Sequence, residues 1–151
     1  MTHADSWGRI KRVAEQRRDA SASSLARLVT RAMEAEQKLQ VLLEYRQDYR
    51  TRFESASRTG MRGEWLRNYQ NFLTNLEQAI TLQTDAMTVL QQEIAEAKKQ
   101  VDHEQRRAES FRIIDDQRSD AADMLERRRQ QRLQDEMATR TIPQFAAKVE
   151  S

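Results

Sequence analysis

Apolar residues recur every three or four positions along two long stretches of this chain, and one short cluster of helix-breaking residues separates the stretches. In the second stretch, alternate steps of four and three from Tyr69 reach Leu73, Leu76, Ile80, Gln83, Met87, Leu90, Ile94, Ala97, Val101, Glu104, Ala108 and Phe111. Only Gln83 and Glu104 are polar among them. A seam kept in step with a 3.5-residue period predicts a long helix supercoiled left-handedly against a partner. The first stretch carries a shorter match: Leu25, Leu28, Ala32, Ala35, Leu39, Leu42, Arg46, Tyr49 and Phe53. Toward its N-terminus the apolar positions shift to Trp7, Ile10 and Val13. Gly60 and Gly63 lie between the two stretches, and glycine supplies the positive φ at which a helix ends and the chain turns. The pattern predicts an all-α fold, an antiparallel two-helix coiled-coil hairpin. Helix 1 spans about 5–57, the bend 58–63 and helix 2 about 64–140. Pro143 is expected to end helix 2, leaving 141–151 as a flexible tail.

Folding the two seams back about the bend pairs Phe53 with Tyr69, Leu42 with Leu76 and Ile80, Leu28 with Ile94, and Ile10 with Phe111. Helix 1 then runs out at about residue 115 of helix 2. The overhang from about 116 to 140 still carries Ala121, Ala122, Met124, Leu125, Leu133 and Met137 at helical spacing. An unpaired, partly apolar helix is a fraying end or a docking element. Of the two, docking is the reading favoured here; Arg127, Arg128, Arg129 and Arg132 stand among those apolar groups.

Composition supports this reading and removes most chemistry. Charged residues are 33% and aromatics 6% of the chain, the balance of long helices rather than of a mixed globular fold. The formal net charge is only +2, and both signs alternate through stretches such as Arg9 to Asp19. Alternation of that kind marks a solvated face laced with i,i+4 pairs, not a phosphate track, so no nucleic-acid partner is expected. There is no cysteine, hence no disulfide framework and no thiolate metal site. No apolar run approaches the roughly 20 residues of a membrane span, and the N-terminus lacks a signal-peptide pattern. The expectation is a soluble, cytoplasmic chain. His3 and His103 are the only histidines; Asp102 and Glu104 beside His103 point elsewhere on a helix. No nucleophile elbow or phosphate-binding loop is present. No enzyme, cofactor or metal is expected.

Six of the nine aromatic residues cluster near the bend: Tyr45, Tyr49, Phe53, Trp65, Tyr69 and Phe72. Tyr49, Phe53 and Tyr69 fall on the seam. Tyr45, Trp65 and Phe72 flank it, where two helices cannot fully cover them, and flanking aromatics suggest an interaction patch.

These residues also carry a family likeness. Tyr45 and Tyr49-Arg50 in one helix, Gly60-Met61 at the bend, and Asn68-Tyr69-Gln70 followed by Phe72 resemble the FliJ family of flagellar export proteins. The specific motif lies within residues 39–83, and Asp135-Glu136-Met137-Ala138 is similar to the family's weaker ending. The resemblance implies a two-stranded antiparallel coiled coil, similar to the central stalk of rotary ATP synthases, serving in the flagellar type III export apparatus. It implies that the end carrying the termini docks in the hexameric export ATPase ring and promotes its assembly and hydrolysis. Met124, Leu125, Arg127, Arg128, Arg129, Arg132 and Leu133 would bind there. It further implies that the bend end reaches the cytoplasmic domain of the membrane export gate through Leu42, Tyr45, Tyr49, Phe72, Leu76 and Ala79. Position 38, an amide in many relatives, is Lys38 here. Export chaperones are further implied partners, and the implied location is cytoplasmic, peripheral to the inner membrane at the flagellar base. Two alternatives share the layout: the equivalent stalk of a virulence type III secretion system, and a coiled-coil scaffold that self-associates through 116–140.

Overall fold

The computed structural model describes the backbone of residues 3–60 and 62–149 and the side chains of 6–60 and 62–141. Two helices account for nearly all of it: α1, His3–Thr59, and α2, Gly63–Val149. No strand occurs among the described residues. The fold is all-α, with the two long helices packed against each other. Gly60 stops α1 by taking φ +89°, a conformation that costs a side-chain-bearing residue strain. Arg58 in the last turn of α1 and Glu64 in the first turn of α2 each oppose the partial charge of the helix end beside them. The carbonyl of Arg62 accepts from the amides of Trp65 (3.1 Å) and Leu66 (3.2 Å), and so opens α2.

The chain packs as two units, one of residues 17–104 and one of the residues up to Gln16 with those from Gln105 onward. The first unit contains the bend and is an antiparallel helical pair. Every predicted seam position within it is buried or half-buried: Leu25 to Phe53 at the stated steps on α1, and Tyr69 to Glu104 on α2. Phe53 stacks on Tyr69 at a centroid distance of 4.0 Å, as the folded-back register requires. Further along, Arg46 meets Glu77 at 3.2 Å and the Gln83 amide donates to the carbonyl of Ala35 at 2.9 Å. Gln83 is thus the polar seam residue that ties its helix to the facing backbone. Any slip of register would lose that bond.

The other polar seam residue is less comfortable. Glu104 is 7% exposed, and its Oε1 accepts from the side chain of Gln100 at 3.0 Å. Its Oε2 is buried without a partner. An unpaired buried carboxylate oxygen is a local weakness, because nothing replaces the water it has lost.

In the second unit, residues 3–16 of α1 lie along the start of the α2 portion. Here the register differs from the expected one. Trp7, not Ile10, meets Phe111, with ring centroids 6.2 Å apart. Ile10 and Val13 face outward at 40% and 46% exposure. The half-buried and buried positions are Trp7, Gly8, Lys11, Ala14 and Glu15, and Trp7, Lys11 and Ala14 continue the 3–4 steps of the rest of α1 through Arg18 and Ser21. The heptad therefore never shifts. It fills its N-terminal positions with polar and small residues, which apolar pattern alone cannot reveal. From Ser119 to Thr141 every described residue is exposed.

A second difference lies at the far end. The α2 backbone stays helical through Pro143 to Val149, where a tail was expected from 141; Glu150 and Ser151 lie outside the described residues. Proline's fixed φ is already helical, and on a solvated helix the carbonyl deprived of its amide partner can turn to water. The side-chain hydroxyl of Thr141 bonds back to the carbonyls of Met137 (2.8 Å) and Ala138 (3.0 Å), in the turn just before.

Two variants test the energetics of the seam. Leu76→Ala removes a side chain that is 8% exposed and is expected to lower unfolding free energy by about 2–3 kcal/mol in urea titration. Glu104→Leu removes the orphaned oxygen and is expected to raise it by about 1 kcal/mol.

Candidate functional site

The 17–104 unit has two unlike edges beside its seam. Residues just after a seam position lie on one edge: Arg50 after Tyr49 and Glu77 after Leu76. There the Glu77 carboxylate takes both Arg46 and Arg50, each at 3.2 Å. Residues just before a seam position lie on the other: Tyr45 before Arg46, Phe72 before Leu73, and Ala79 before Ile80. This edge carries apolar and aromatic groups instead of paired charges. Two helices cannot wrap both edges, so whatever stands there stays in reach of solvent.

The aromatic cluster is continuous across the helices. Tyr49 stacks on Tyr69 (5.0 Å, planes 2° apart) and touches Phe72 (4.2 Å), while Tyr69 also stacks on Phe53 and lies 6.4 Å from Trp65. Tyr69 is the hub, 7% exposed. Burial pushes its phenol above the ordinary value of 10.0, against an opposing pull from Arg50.

The six residues singled out as a gate surface fall into two groups. Tyr45 is 59% exposed and Phe72 40%, so both can be reached. Leu42, Tyr49 and Ala79 are half-buried, and Leu76 is in the core. Leu76 therefore supports the surface from beneath. Tyr49 joins the groups through its contact with Phe72. Beside Leu42 runs a groove of about 520 Å³ lined by Glu34, Gln37, Lys38, Val41, Leu42 and Gln83. Sequence reasoning missed Val41, which is largely exposed; its place four residues before Tyr45, on the same helical face, was the available signal. Leu82 and Val89 are also exposed and were not singled out; their seven-residue spacing off the seam was the clue.

The other candidate set, Met124, Leu125, Arg127, Arg128, Arg129, Arg132 and Leu133, lies wholly in the exposed part of α2 in the second unit. None of the four arginines has an ion-pair partner among the described residues, although Asp123 precedes Arg127 by four positions and Glu136 comes four after Arg132. The solvated-face reading predicts such pairs; here the guanidinium groups stand open. Exposed apolar side chains accompany them, with Leu125 at 66%.

Among the described residues no group of three or more potential ligands could hold a metal, and no helix is long and apolar enough to cross a membrane. His103 stays exposed; the side chain of His3 lies outside the described residues. The described side chains present exposed contact surfaces.

The Tyr69 shift sets a pH test. A phenol whose folded pKa is raised contributes stability that is complete below the unfolded value and is lost as pH rises through the folded value. The melting temperature is expected to fall above about pH 10, and Tyr69→Phe is expected to shrink that fall in melts at pH 9 and 11.

Comparison with known proteins gives these surfaces a context. The family profile described as "Flagellar FliJ protein" matches residues 8–144. Two curated relatives, the flagellar FliJ proteins of Salmonella typhi and of Escherichia coli (strain K12), are each 28% identical over 131 residues, covering 87% of this chain and 89% of theirs. No solved structure matches. With the family profile spanning both helices, the bend and both candidate surfaces, the chain belongs to the flagellar FliJ protein family, and so to the components related to flagellar export.

Proposed function

We propose that this chain is a non-catalytic stalk of the flagellar type III export apparatus, joining the export ATPase to the membrane export gate. The exposed end of α2 docks in the hexameric ATPase ring and promotes ring assembly and hydrolysis. The aromatic edge of the 17–104 unit contacts the cytoplasmic domain of the gate, and flagellar export chaperones bind the same protein. It works in the cytoplasm, peripheral to the inner membrane at the flagellar base. The family supplies this context; the observation that carries the division of labour is the exposed, unpaired stretch from 119 to 141.

The physical case for the ring rests on that stretch. Four guanidinium groups without ion-pair partners among the described residues suit a lumen that offers carboxylates, since charge-assisted bonds gain most where both groups lose water together. Met124, Leu125 and Leu133 supply adaptable apolar contact beside them. At the gate surface, Tyr45 and Phe72 are the anchors, being exposed and rich in contact area. Leu42, Tyr49 and Ala79 complete the patch around them, with Leu76 holding it from below. Lys38 places a cation on the neighbouring groove, where a partner carboxylate would be favoured.

Three measurements test this reading. Added to the organism's flagellar export ATPase, the chain is expected to stimulate hydrolysis and ring formation, saturating well below one chain per ATPase subunit. No stimulation, with the chain dimeric in sedimentation, would point to self-association through the exposed segment. The chain truncated after Arg118 is expected to lose stimulation while the 17–104 unit keeps its helical circular dichroism. Tyr45→Ala combined with Phe72→Ala is expected to weaken binding to the gate's cytoplasmic domain by about tenfold or more, at about 1–2 kcal/mol per truncated anchor, and to leave ATPase stimulation intact. Loss of both activities in either variant would remove the division between the two surfaces.

A further inference from the structure

In the unit formed by residues 3–16 and the α2 portion from Gln105 onward, the first turns of α1 hold α2 through an aromatic contact and an ion pair. Trp7, Lys11 and Ala14 mark their packing against α2. Trp7 packs against Phe111 at 6.2 Å, and the Arg118 guanidinium sits 4.3 Å over the Trp7 ring. Lys11 Nζ lies 3.3 Å from Asp115, with both side chains about one-third exposed (29% and 33%). Ala14 is buried but brings little area. The two aliphatic residues that could have strengthened this grip, Ile10 and Val13, face solvent. These residues are the terminal turns of α1, and the end of a helix opens at low cost where little apolar surface holds it; a part-exposed ion pair adds little to that hold.

Beneath this segment α2 carries apolar surface. Ala108 is 3% exposed, and Phe111 and Ile114 are half-buried. Seven- and four-residue steps carry Ile114 on to Ala121 and Leu125, which are exposed. The covered surface and the open surface therefore share one side of the same helix.

We infer that residues 6–16 of α1 form a strap that opens from α2, and that opening adds Ala108, Phe111 and Ile114 to the face that begins at Ala121. This inference rests on the docking reading above, and its occupant is the same export ATPase ring. Continuity with the four open arginines selects that occupant, because a partner engaging them through carboxylates is carried along the helix toward Phe111. The strap then regulates docking. Closed, it hides the upper half of the face; open, it presents the whole. Affinity in such a scheme is reduced by the fraction of molecules that are closed. Weakening the strap therefore strengthens binding, whereas a strap that was itself a contact would weaken binding when disrupted.

The test uses the full-length chain and the flagellar export ATPase. Trp7→Ala removes the aromatic contact, and Lys11→Glu sets like charges at the Asp115 position; the two act by different chemistry. Both are expected to bind the ATPase about threefold to tenfold more tightly than the parent. In a Trp65→Phe background Trp7 becomes the sole tryptophan, and its emission is expected to move to longer wavelength on ATPase addition as the ring leaves Phe111 and Arg118. Unchanged or weaker binding by both variants, or an unmoved Trp7 emission, would overturn the strap. The chain truncated after Arg118 separates the two levels. If it fails to bind while the strap variants show no gain, only the strap is wrong. If it binds as well as the full chain, the docking reading falls and the strap falls with it.

Discussion

Burial along a narrow seam is the constraint on which the rest of this structure depends. Two helices in contact share a stripe about two side chains wide, so no described side chain is fully buried and the core is a row of partly covered residues. Each position on that row contributes less than a globular core residue would, and cohesion depends on keeping the row in step. The 3–4 spacing does so, and Gln83 reinforces it by bonding to the backbone carbonyl of Ala35. A flat or two-sided helix pair would have no such pin.

The same narrowness leaves exposed the surfaces proposed for binding. A seam two residues wide leaves its edges uncovered, and in the 17–104 unit the edges have been given different chemistry. Glu77 with Arg46 and Arg50 closes one edge with charge that water and salt screen. On the other, Phe72 stands over a stacked aromatic base of Tyr49, Phe53 and Tyr69, and Tyr45 is exposed on the same edge. The stack is rigid because its members are also seam residues, so the exposed anchors sit on a firm footing. In the proposed gate contact, stability and recognition draw on one set of side chains viewed from two directions.

Seam quality also varies along the chain, and it is weakest toward the surface proposed to dock in the ATPase ring. From Tyr69 to Val101 only Gln83 interrupts the apolar row of α2. At Glu104 a buried carboxylate oxygen is left without a partner, and the facing-type positions of α1 are Lys11, Ala14, Arg18 and Ser21. Beyond Arg118 the described α2 side chains have no helical partner at all. Local free energies of opening track local apolar contact, so the elements nearest the exposed arginines are the ones able to rearrange on binding.

The two helices, the turn at Gly60, and the seam and antiparallel register of the 17–104 unit were determined by the sequence itself, through period and breakers, because a one-dimensional repeat maps directly onto a helical face. The FliJ likeness was also legible, since Tyr45, Tyr49, Tyr69 and Phe72 keep fixed spacings. Three features needed the tertiary structure. The N-terminal heptad was hidden because Lys11, Ala14 and Arg18 occupy it while Ile10 and Val13 face water, and hydrophobicity alone points to the wrong face. The continuation of α2 through Pro143 was hidden because proline's cost in a helix depends on whether the freed carbonyl can reach solvent. Which of Leu42, Tyr49, Leu76 and Tyr45 can meet a partner was decided only by packing, since the helix that covers a seam residue is contributed from far along the chain.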